Sequence, residues 1–376
     1  MSKARAQSGK SGNAAKKRVN GDTCKPVKGN GKSVRKSRSF LQRCRRFVFG
    51  FIAWVLLVVA LLGTLSRALP EELQSLPYVP VVAAFTPWFV LPGLVSLVLA
   101  LVSRRWFAAL LALMCVGLQG WWQHPYFVPQ SHLGDTAITA VSGRKANIDD
   151  GYARVMTANV YRGRADVKAI IAAVRDQRVE VLALQETTRS FINDLKSQGI
   201  HDYLPYSQVS SSDGKYGNAL FSAVALDSPS DDDVDSAASF MPGGTVSLAG
   251  GKTQVRFVSV HTTSPKPGRW VRWRTSLDEV ARMKSREDVK YVLMGDFNST
   301  TDHTPLRNIL GSRFHDAAQS AGRGLVFTWP SDMAGVPKFA GIDHIVLDQG
   351  LVAGQVSTLS IPGSDHDALL ATIMVQ

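Results

Sequence analysis

The sequence predicts an α/β domain over residues 152–376 that follows three membrane-spanning helices. Long uncharged apolar stretches are confined to residues 47–130, and beyond residue 152 short apolar segments alternate with amphipathic ones. The excess of basic charge lies at the N-terminus. Alternating strand and helix patterns are typical of folds in which helices cover the faces of a mixed sheet.

The first 46 residues form a strongly basic tail. They contain 15 Lys and Arg, a single acid (Asp22) and few large apolar side chains. Such a segment cannot bury enough surface to offset its ordering entropy, so we predict a disordered tail. By the positive-inside rule the tail is cytoplasmic. Its arginines, among them Arg43, Arg45 and Arg46, could bind anionic lipid headgroups or could act as a topology signal alone.

The remaining charge argues little for a nucleic-acid partner. Residues 131–376 contain 25 Lys and Arg against 27 Asp and Glu, a net charge of −2. The high isoelectric point therefore reflects the tail and is weak support for nucleic-acid binding by the folded part. All three cysteines (Cys24, Cys44 and Cys115) precede residue 130, which excludes thiol catalysis and cysteine-rich metal sites after it.

Three stretches, 47–66, 78–102 and 106–122, are predicted to cross the membrane. The first two are long enough to span the hydrocarbon core, and the third is at the lower limit. Pro87 and Pro92 are expected to kink the second span, and Arg104 and Arg105 suit a cytoplasmic turn before the third. Three spans predict a multi-pass membrane protein whose partner is the lipid bilayer, with an extracytoplasmic catalytic domain. We infer no obligate protein partner.

A linker over 131–151 precedes the α/β domain over 152–376. Period-two apolar patterns predict strands at 153–160, 179–184, 217–225, 253–261, 289–295, 342–347 and 367–375. Helical periodicity predicts helices at 165–177, 188–198, 269–286 and 304–311. The acidic stretch 227–235 is predicted to be a solvated loop, because it lacks the ligand spacing of a calcium site.

Polar residues occur repeatedly at the ends of these predicted strands. They are Asn159, Glu186, Asn218, His261, Asp296, Asn298, Asp343, Asp365 and His366. Strand ends hold side chains rigidly and can assemble a site at one edge of a sheet. Carboxylate and amide oxygens without thiolates suit a hard cation such as Mg²⁺ or Mn²⁺, and two histidines add acid–base chemistry. The pattern predicts metal-assisted attack of water on phosphorus.

At these residues the chain resembles the endonuclease/exonuclease/phosphatase family, which includes deoxyribonucleases and neutral sphingomyelinases. The motifs NV, QE, GNAL, HTTSP, GDFN, GIDHI and SDH occur in the family's order over roughly residues 152–376. The resemblance implies a four-layer α/β sandwich of two packed mixed sheets flanked by helices. Together with the predicted spans, it implies a membrane-anchored, Mg²⁺- or Mn²⁺-dependent phosphodiesterase or phosphatase.

The resemblance implies the following roles. Glu186 is the principal metal ligand, with Asn159 and Asp365 as further ligands. Asp296 and Asn298 position the phosphate and the attacking water. His366 is the catalytic histidine and is oriented by Asp343, while His261 stabilises phosphate charge or protonates the leaving group. Substrate contacts are assigned to Asn159, Asn218 and Arg269.

Several alternatives remain open on the sequence. Asn218 follows a glycine and could serve a turn as readily as a substrate. Arg269 belongs to a basic and aromatic segment (266–274) that could hold a phosphate or simply begin a helix. We interpret His344 as structural, and Asp302 and His303 as solvated loop residues. The substrate could be a nucleic acid or a phospholipid, and a catalytically silent envelope binding module is the alternative function.

Overall fold

The computed structural model describes residues 31–130, 132–134, 147 and 149–376, with side chains from residue 40 onward. Most of the predicted linker and residues 1–30 of the predicted tail lie outside the described residues. The N-terminal portion, termed here the membrane portion after the spans predicted for it, comprises residues 31–130. It contains helices α1 (Gly31–Ala68), α2 (Val79–Ala84), α3 (Val90–Ser103) and α4 (Trp106–Gln123). Short 3-10 helices lie at Glu71–Leu73, Thr86–Phe89 and His124–Tyr126.

Small residues allow α1, α3 and α4 to pack closely. Ala53, Ala100, Ala108 and Ala112 are buried together in the centre of this bundle. Gly63 lies against the ring of Phe89. A Cβ atom added at Gly63 would lie only 2.0 Å from that ring. Large apolar side chains point outward instead and are exposed, among them Phe51, Leu62, Val98, Leu110 and Leu113. This distribution is typical of helices that associate within lipid.

Three details differ from the sequence-based expectation for this portion. Helix α1 begins at Gly31, so residues 31–46 of the tail are helical, because Lys and Arg favour a helix that the following apolar segment continues. The second stretch breaks into α2, a 3-10 turn and α3, because prolines interrupt it. Two segments, Phe40–Ala68 and Thr86–Ser103, are long and apolar enough to cross a membrane. The third predicted span corresponds to α4 but is not among them, since Gln119, Trp121, Trp122 and Gln123 lower its hydropathy.

The C-terminal domain contains two six-stranded sheets. Their strands are β1 (Tyr152–Asn159), β2 (Val181–Gln185), β3 (Tyr206–Ser210), β4 (Asn218–Ser222), β5 (Asp227–Ser230), β6 (Gly243–Leu248), β7 (Thr253–His261), β8 (Lys290–Asp296), β9 (Phe314–Asp316), β10 (Asp343–Asp348), β11 (Leu351–Ser360) and β12 (Asp367–Val375). The first sheet has the order β11-β12-β1-β2-β4-β3, and the second has the order β5-β6-β7-β8-β10-β9. Each sheet contains one parallel pair, β1 with β2 and β7 with β8, among antiparallel neighbours.

Four of the domain's helices cover the outer faces of the two sheets, and the short last one packs against the core between them. The helices are α5 (Val167–Gln177), α6 (Arg189–Ser197), α7 (Trp270–Ala281), α8 (Thr304–Leu310) and α9 (Ala317–Ala321), with 3-10 turns at Ile200–Asp202 and Arg282–Ser285. Strand β7 shows how both faces of a sheet are buried. Val255 and Phe257 pack between the sheets, whereas Val258 and Val260 pack under α7 and α8. The result is the predicted four-layer α/β sandwich.

Every strand and helix predicted for this domain forms, and β7 and β12 have the predicted bounds. Strands β3, β5, β6, β9 and β11 were not predicted. Strand β5 includes part of the acidic stretch 227–235. The expectation that this stretch is a solvated loop is therefore wrong in part. Asp233 of that stretch is buried because its carboxylate accepts hydrogen bonds from Arg256 at 2.5 and 2.8 Å.

The membrane portion packs directly on the C-terminal domain through a polar junction. Asp302 is buried and forms an ion pair with Arg67, at the end of α1. Gln123 Nε2 donates to Asp302 Oδ1 over 3.1 Å, and Tyr126 Oη lies 2.8 Å from Thr301 Oγ1. The expectation that Asp302 is solvated is therefore wrong, because the membrane portion covers this loop.

We expect Asp302→Ala to destabilise the protein by about 3–5 kcal/mol, because it leaves the Arg67 guanidinium buried without its counter-charge. In a thermal unfolding scan of the detergent-solubilised full chain, this corresponds to a fall in Tm of about 10 °C. Asp194→Ala, at an exposed position of α6, is the matched control and should leave Tm unchanged. An unaltered Tm for Asp302→Ala would show that the junction contributes little to stability.

Candidate active site

The two parallel strand pairs bring most of the predicted residues to one edge of the sandwich. Asn159 and Gln185 are register partners at the carboxyl ends of β1 and β2. His261 and Asp296 are partners at the carboxyl ends of β7 and β8. Strand β10 starts at this edge, with Asp343 opposite Asp296. The two sheets pack face to face, so their edges close on a shared site.

Asp296 lies at the centre of the hydrogen-bond network. Its Oδ1 accepts from the backbone N–H of Asn298 over 2.8 Å. Its Oδ2 accepts from Nδ2 of Asn159 and from Nδ2 of Asn298, both over 3.1 Å. Burial raises the pKa of Asp296. Asn298 has a left-handed backbone (φ 45°), which asparagine tolerates better than most residues, and this turn directs its side chain back to Asp296.

His366 is oriented by Asp343. Its Nδ1 lies 2.8 Å from Asp343 Oδ2, so Nδ1–H donates and Nε2 faces the site. Nε2 lies 3.8 Å from Asp296 Oδ2 and 4.0 Å from Asp365 Oδ1. Burial alone would lower the pKa of His366, but the carboxylates of Asp343, Asp296 and Asp365 outweigh burial and raise this pKa to about 10.

Two carboxylates face the site with buried oxygens that accept no hydrogen bond from any described residue. They are Oε2 of Glu186 and Oδ1 of Asp365. Burial, followed by the charges of Asp296 and Asp365, raises the pKa of Glu186 to about 7. Arg162 Nε is the nearest cation to Glu186 Oε2, at 3.9 Å. Unpartnered buried carboxylate oxygens are costly, and a divalent cation is the kind of ligand that satisfies such oxygens.

A second set of possible ligands overlaps this one. Ligand atoms of Asp296, Asp343 and His366 lie within 4.8 Å of one another. The 2.8 Å hydrogen bond between His366 and Asp343 already uses one atom of each residue, but Oδ1 of Asp343 is buried without a partner, as are the oxygens of Glu186 and Asp365. The oxygen donors of Glu186 and Asp365 suit a hard cation such as Mg²⁺ or Mn²⁺ better than a set that includes an imidazole nitrogen. Asn159 is less available, because its Oδ1 accepts from the Tyr161 N–H over 2.9 Å.

His261 faces the same site from β7. Its Nε2 lies 3.8 Å from both Glu186 Oε1 and Asp296 Oδ2, and its Nδ1 is buried without a partner among the described residues. Burial lowers the pKa of His261 to about 4, so the ring is neutral at pH 7. A neutral imidazole can donate one hydrogen bond to a phosphate oxygen, which is one of the two roles predicted for it.

These groups line a cavity of about 560 Å³. The cavity lining includes Glu186, His261, Asp296, Asn298, Asp365 and His366. Arg269 lines the cavity and is exposed, as expected if the 266–274 segment holds a phosphate. Trp270 and Trp273 are buried, as expected if the same segment begins a helix. Asn218 does not line the cavity: it is fully buried, and its Nδ2 lies 3.3 Å from the Ser259 carbonyl oxygen. Its role in substrate binding stays a prediction.

The sequence of residues 156–366 matches the model of the Endonuclease/Exonuclease/phosphatase family. This chain belongs to the endonuclease/exonuclease/phosphatase family. Members of this family are generally hydrolases of phosphoester bonds, and they typically use a divalent metal. The match covers more than half of the chain and includes every predicted site residue, from Asn159 to His366.

Solved structures that are similar to this chain have low sequence identity to it. A family protein from Leptotrichia buccalis C-1013-b is 14% identical, with a TM-score of 0.48 over 60% of this chain and 99% of its own. A family protein from Bacteroides vulgatus is 17% identical, with a TM-score of 0.49 over 60% and 99%. Truncated Caenorhabditis elegans TDP2 is 18% identical, with a TM-score of 0.48 over 61% and 100%. No curated protein matches this chain.

The sequence analysis missed several residues that line the active-site cavity of this chain. Arg162 and Lys215 add positive charge to the lining, and Trp329 and Phe339 add aromatic surface. Lys215 stands two residues before Gly217, the first residue of the motif GNAL, but nothing in its own spacing indicated a site. His344 is structural by its contacts, with Nδ1 2.8 Å from Asp316 Oδ2 and Nε2 2.9 Å from the Ser299 carbonyl oxygen.

Proposed function

We propose that this protein is a membrane-anchored, divalent-metal-dependent phosphodiesterase or phosphatase that acts outside the cytoplasmic membrane. One observation supports the hydrolase most directly. The His366–Asp343 pair, the Asp296 network and the unpartnered oxygens of Glu186 and Asp365 all face one cavity. A catalytically silent binding module would not require all of these groups together.

The cation would be held by Glu186 and Asp365 and would supply charge stabilisation to the phosphate oxygens. It would also offset the carboxylate field that raises the pKa of His366, which favours the neutral imidazole that a base requires. Asp296 and Asn298 position the phosphate and the attacking water. Arg162 and Lys215 contribute positive charge toward the phosphate, and the neutral His261 donates a hydrogen bond to one of its oxygens.

In the hydrolysis, the oxygen of water forms a bond to phosphorus while the bond from phosphorus to the leaving oxygen breaks. The water proton passes to Nε2 of His366, whose Nδ1–H remains bonded to Asp343. The leaving oxygen takes its proton from solvent. A positioned base of this kind contributes about 10²–10⁴ in rate.

The hydrolase proposal is tested with the purified full chain in detergent and bis(4-nitrophenyl) phosphate as substrate. We expect release of nitrophenolate with Mg²⁺ or Mn²⁺ and its loss in excess chelator, restored by the metal. Full activity in excess chelator would contradict the metal mechanism, and inactivity under every metal condition would contradict the hydrolase proposal.

The arrangement of the membrane portion supports the proposed location. The turn at Arg104 and Arg105 packs beside Gly50. A Cβ atom added at Gly50 would lie 2.9 Å from Arg105 Nε. From this turn α4 runs 18 residues back to the C-terminal domain, about 27 Å, close to the thickness of a bilayer's hydrocarbon core. If this bundle is embedded in the bilayer, α4 therefore crosses the bilayer as well as α1 and α3.

Three crossings predict that the C-terminus lies outside the cell membrane. A reporter fused after Gln376 should read as extracytoplasmic, and one fused before the first span should read as cytoplasmic. A cytoplasmic signal from an intact C-terminal fusion would contradict both the third crossing and the external substrate.

A further inference from the structure

The active-site cavity has two unlike sides. One side carries the carboxylates, the histidines and the basic groups described above. The other side, termed here the apolar wall, comprises Pro80, Val81, Ala84, Phe85, Trp329 and Phe339. Four of these six residues belong to the membrane portion, which lies outside the segment that matches the family.

The apolar wall is held in place by several contacts with the C-terminal domain. The Nε2–H of His303 donates to the carbonyl oxygen of Pro80 over 2.7 Å, while Nδ1 of the same ring accepts the Thr300 N–H over 2.8 Å. Phe85 stacks on Phe339 with ring centroids 4.6 Å apart. His303 is 1% exposed, so the expectation that it is solvated is wrong, and its contact to Pro80 is the reason.

A second anchor fixes the segment that follows the wall. Trp88 Nε1 donates to the carbonyl oxygen of Phe339 over 2.9 Å, and the Trp88 ring stacks on Phe327 at 5.4 Å. The membrane portion therefore forms part of the cavity rather than only tethering the domain beside a surface.

The wall leads directly into a segment that is long and apolar enough to cross a membrane. Val81 is 38% exposed, and the apolar segment Thr86–Ser103 begins within five residues of it. Leu91 and Leu94, in the first turns of α3, are exposed as well. An apolar surface thus extends from the site of phosphoester chemistry to the region where lipid chains would lie.

From this geometry we propose that the substrate is a membrane lipid with a phosphoester headgroup. The phosphate lies between Glu186 and His366, and the lipid's hydrocarbon chain lies along the apolar wall formed by the protein's own membrane portion. This inference rests on the proposed hydrolase function and assigns its substrate class. Val81, Ala84 and Phe85 then determine specificity, because they contact the chain and not the reacting atoms.

A nucleic-acid substrate fits the two-sided cavity less well. Nucleic-acid affinity depends on several Lys and Arg contacts to successive phosphates. The basic residues of this cavity (Arg162, Lys215, Lys266 and Arg269) all belong to the C-terminal domain, and the membrane portion contributes no charged residue to the lining. One phosphate on the basic side and one hydrocarbon chain on the apolar side match this division.

The test compares two phosphodiesters with the same leaving group: methyl 4-nitrophenyl phosphate and octyl 4-nitrophenyl phosphate. The full chain is used with Mg²⁺ or Mn²⁺, and the octyl ester is kept below the concentration at which it forms micelles. Each methylene buried contributes roughly fourfold in affinity. We expect the octyl ester to exceed the methyl ester in kcat/KM by about 50-fold or more, which corresponds to burial of about three methylenes.

Variants of the wall test where this preference arises. Val81→Asp places a charge on the wall and Ala84→Trp fills the space beside it, and each should reduce the octyl-to-methyl ratio at least about tenfold. Leu76→Asp is the matched control, since Leu76 is similarly exposed (46%) and lies shortly before α2 but does not line the cavity. It should keep the wild-type ratio. If Val81→Asp fails to fold, Ala84→Trp decides the question.

The outcomes separate this inference from the function on which it rests. Equal hydrolysis of both esters, or a ratio that neither wall variant lowers, would overturn the lipid substrate and leave the hydrolase in place. A higher kcat/KM for single-stranded or duplex DNA than for the octyl ester would overturn it in favour of a nucleic acid. Hydrolysis of neither ester with either metal would overturn the hydrolase proposal, and this inference with it.

Discussion

Replacing His366 with alanine is expected to lower kcat by about 10²–10⁴ while KM changes little, because proton transfer counts in the transition state and not in binding. The Nδ1 hydrogen bond to Asp343 fixes which nitrogen faces the cavity. Asp343→Asn should therefore damage the same step, since an amide no longer holds the ring in this tautomer. Steady-state hydrolysis of bis(4-nitrophenyl) phosphate provides the measurement.

The double variant tests whether the two residues act as a unit. Its loss of kcat should be far smaller than the product of the two single losses, because the function of Asp343 is exerted through His366. His344→Ala is the internal control, one residue from Asp343 in the same strand. It should lower stability by about 1–3 kcal/mol, because it leaves Oδ2 of the buried Asp316 carboxylate without its hydrogen-bond partner, but should spare kcat. An essential His344 with a dispensable His366 would contradict the assignment of the site.

Replacing Glu186 with glutamine is expected to lower activity more than about 100-fold. This loss is larger than the loss expected from replacing a residue that only hydrogen-bonds to a metal ligand. Gln keeps the volume of the side chain but removes the charge that a divalent cation requires. The folded protein should not be destabilised in metal-free buffer above pH 7. Burial raises the pKa of Glu186 to about 7, so the ionised form is disfavoured in the folded state and its removal relieves that cost.

A second buried carboxylate provides the matched control for this variant. Glu180 lies just before β2, whereas Glu186 lies just after it, and burial followed by the charge of Asp150 raises the pKa of Glu180 to about 8. Glu180 does not line the cavity. Glu180→Gln should therefore leave the activity and its metal dependence unchanged. Equal losses in the two variants would show a general effect on folding rather than a metal ligand.

Much of the fold could be predicted because local pattern and burial agree. Strand β12 is a nearly continuous apolar run, and β7 largely alternates apolar with polar residues, so their patterns and bounds are clear. The missed strands lack this signal. Strand β6 begins with two glycines, and β11 carries a bulge between Gly354 and Ser357 and exposes alternate polar side chains. Pairing with a neighbouring strand, rather than local propensity, determines these elements.

The same distinction applies to the candidate site. Residues at strand ends could be predicted because the parallel pairs place Asn159, His261 and Asp296 at one edge of the sandwich. Lys215 and Phe339 could not be predicted, since they reach the cavity from loops whose course depends on tertiary packing. Asp302 and His303 are in the same category: each looks like a loop residue in the sequence and is buried only because the membrane portion covers it.

The central claim is that a divalent cation bound by Glu186 serves hydrolysis assisted by His366. Its most direct test is a Mn²⁺ titration of the full chain, followed by electron paramagnetic resonance and by nitrophenolate release in the same samples. The account predicts that activity rises with occupancy in the wild type, that Glu186→Gln loses the binding, and that His366→Ala binds Mn²⁺ normally while remaining nearly inactive. Normal binding by Glu186→Gln, or binding lost in His366→Ala, would contradict it.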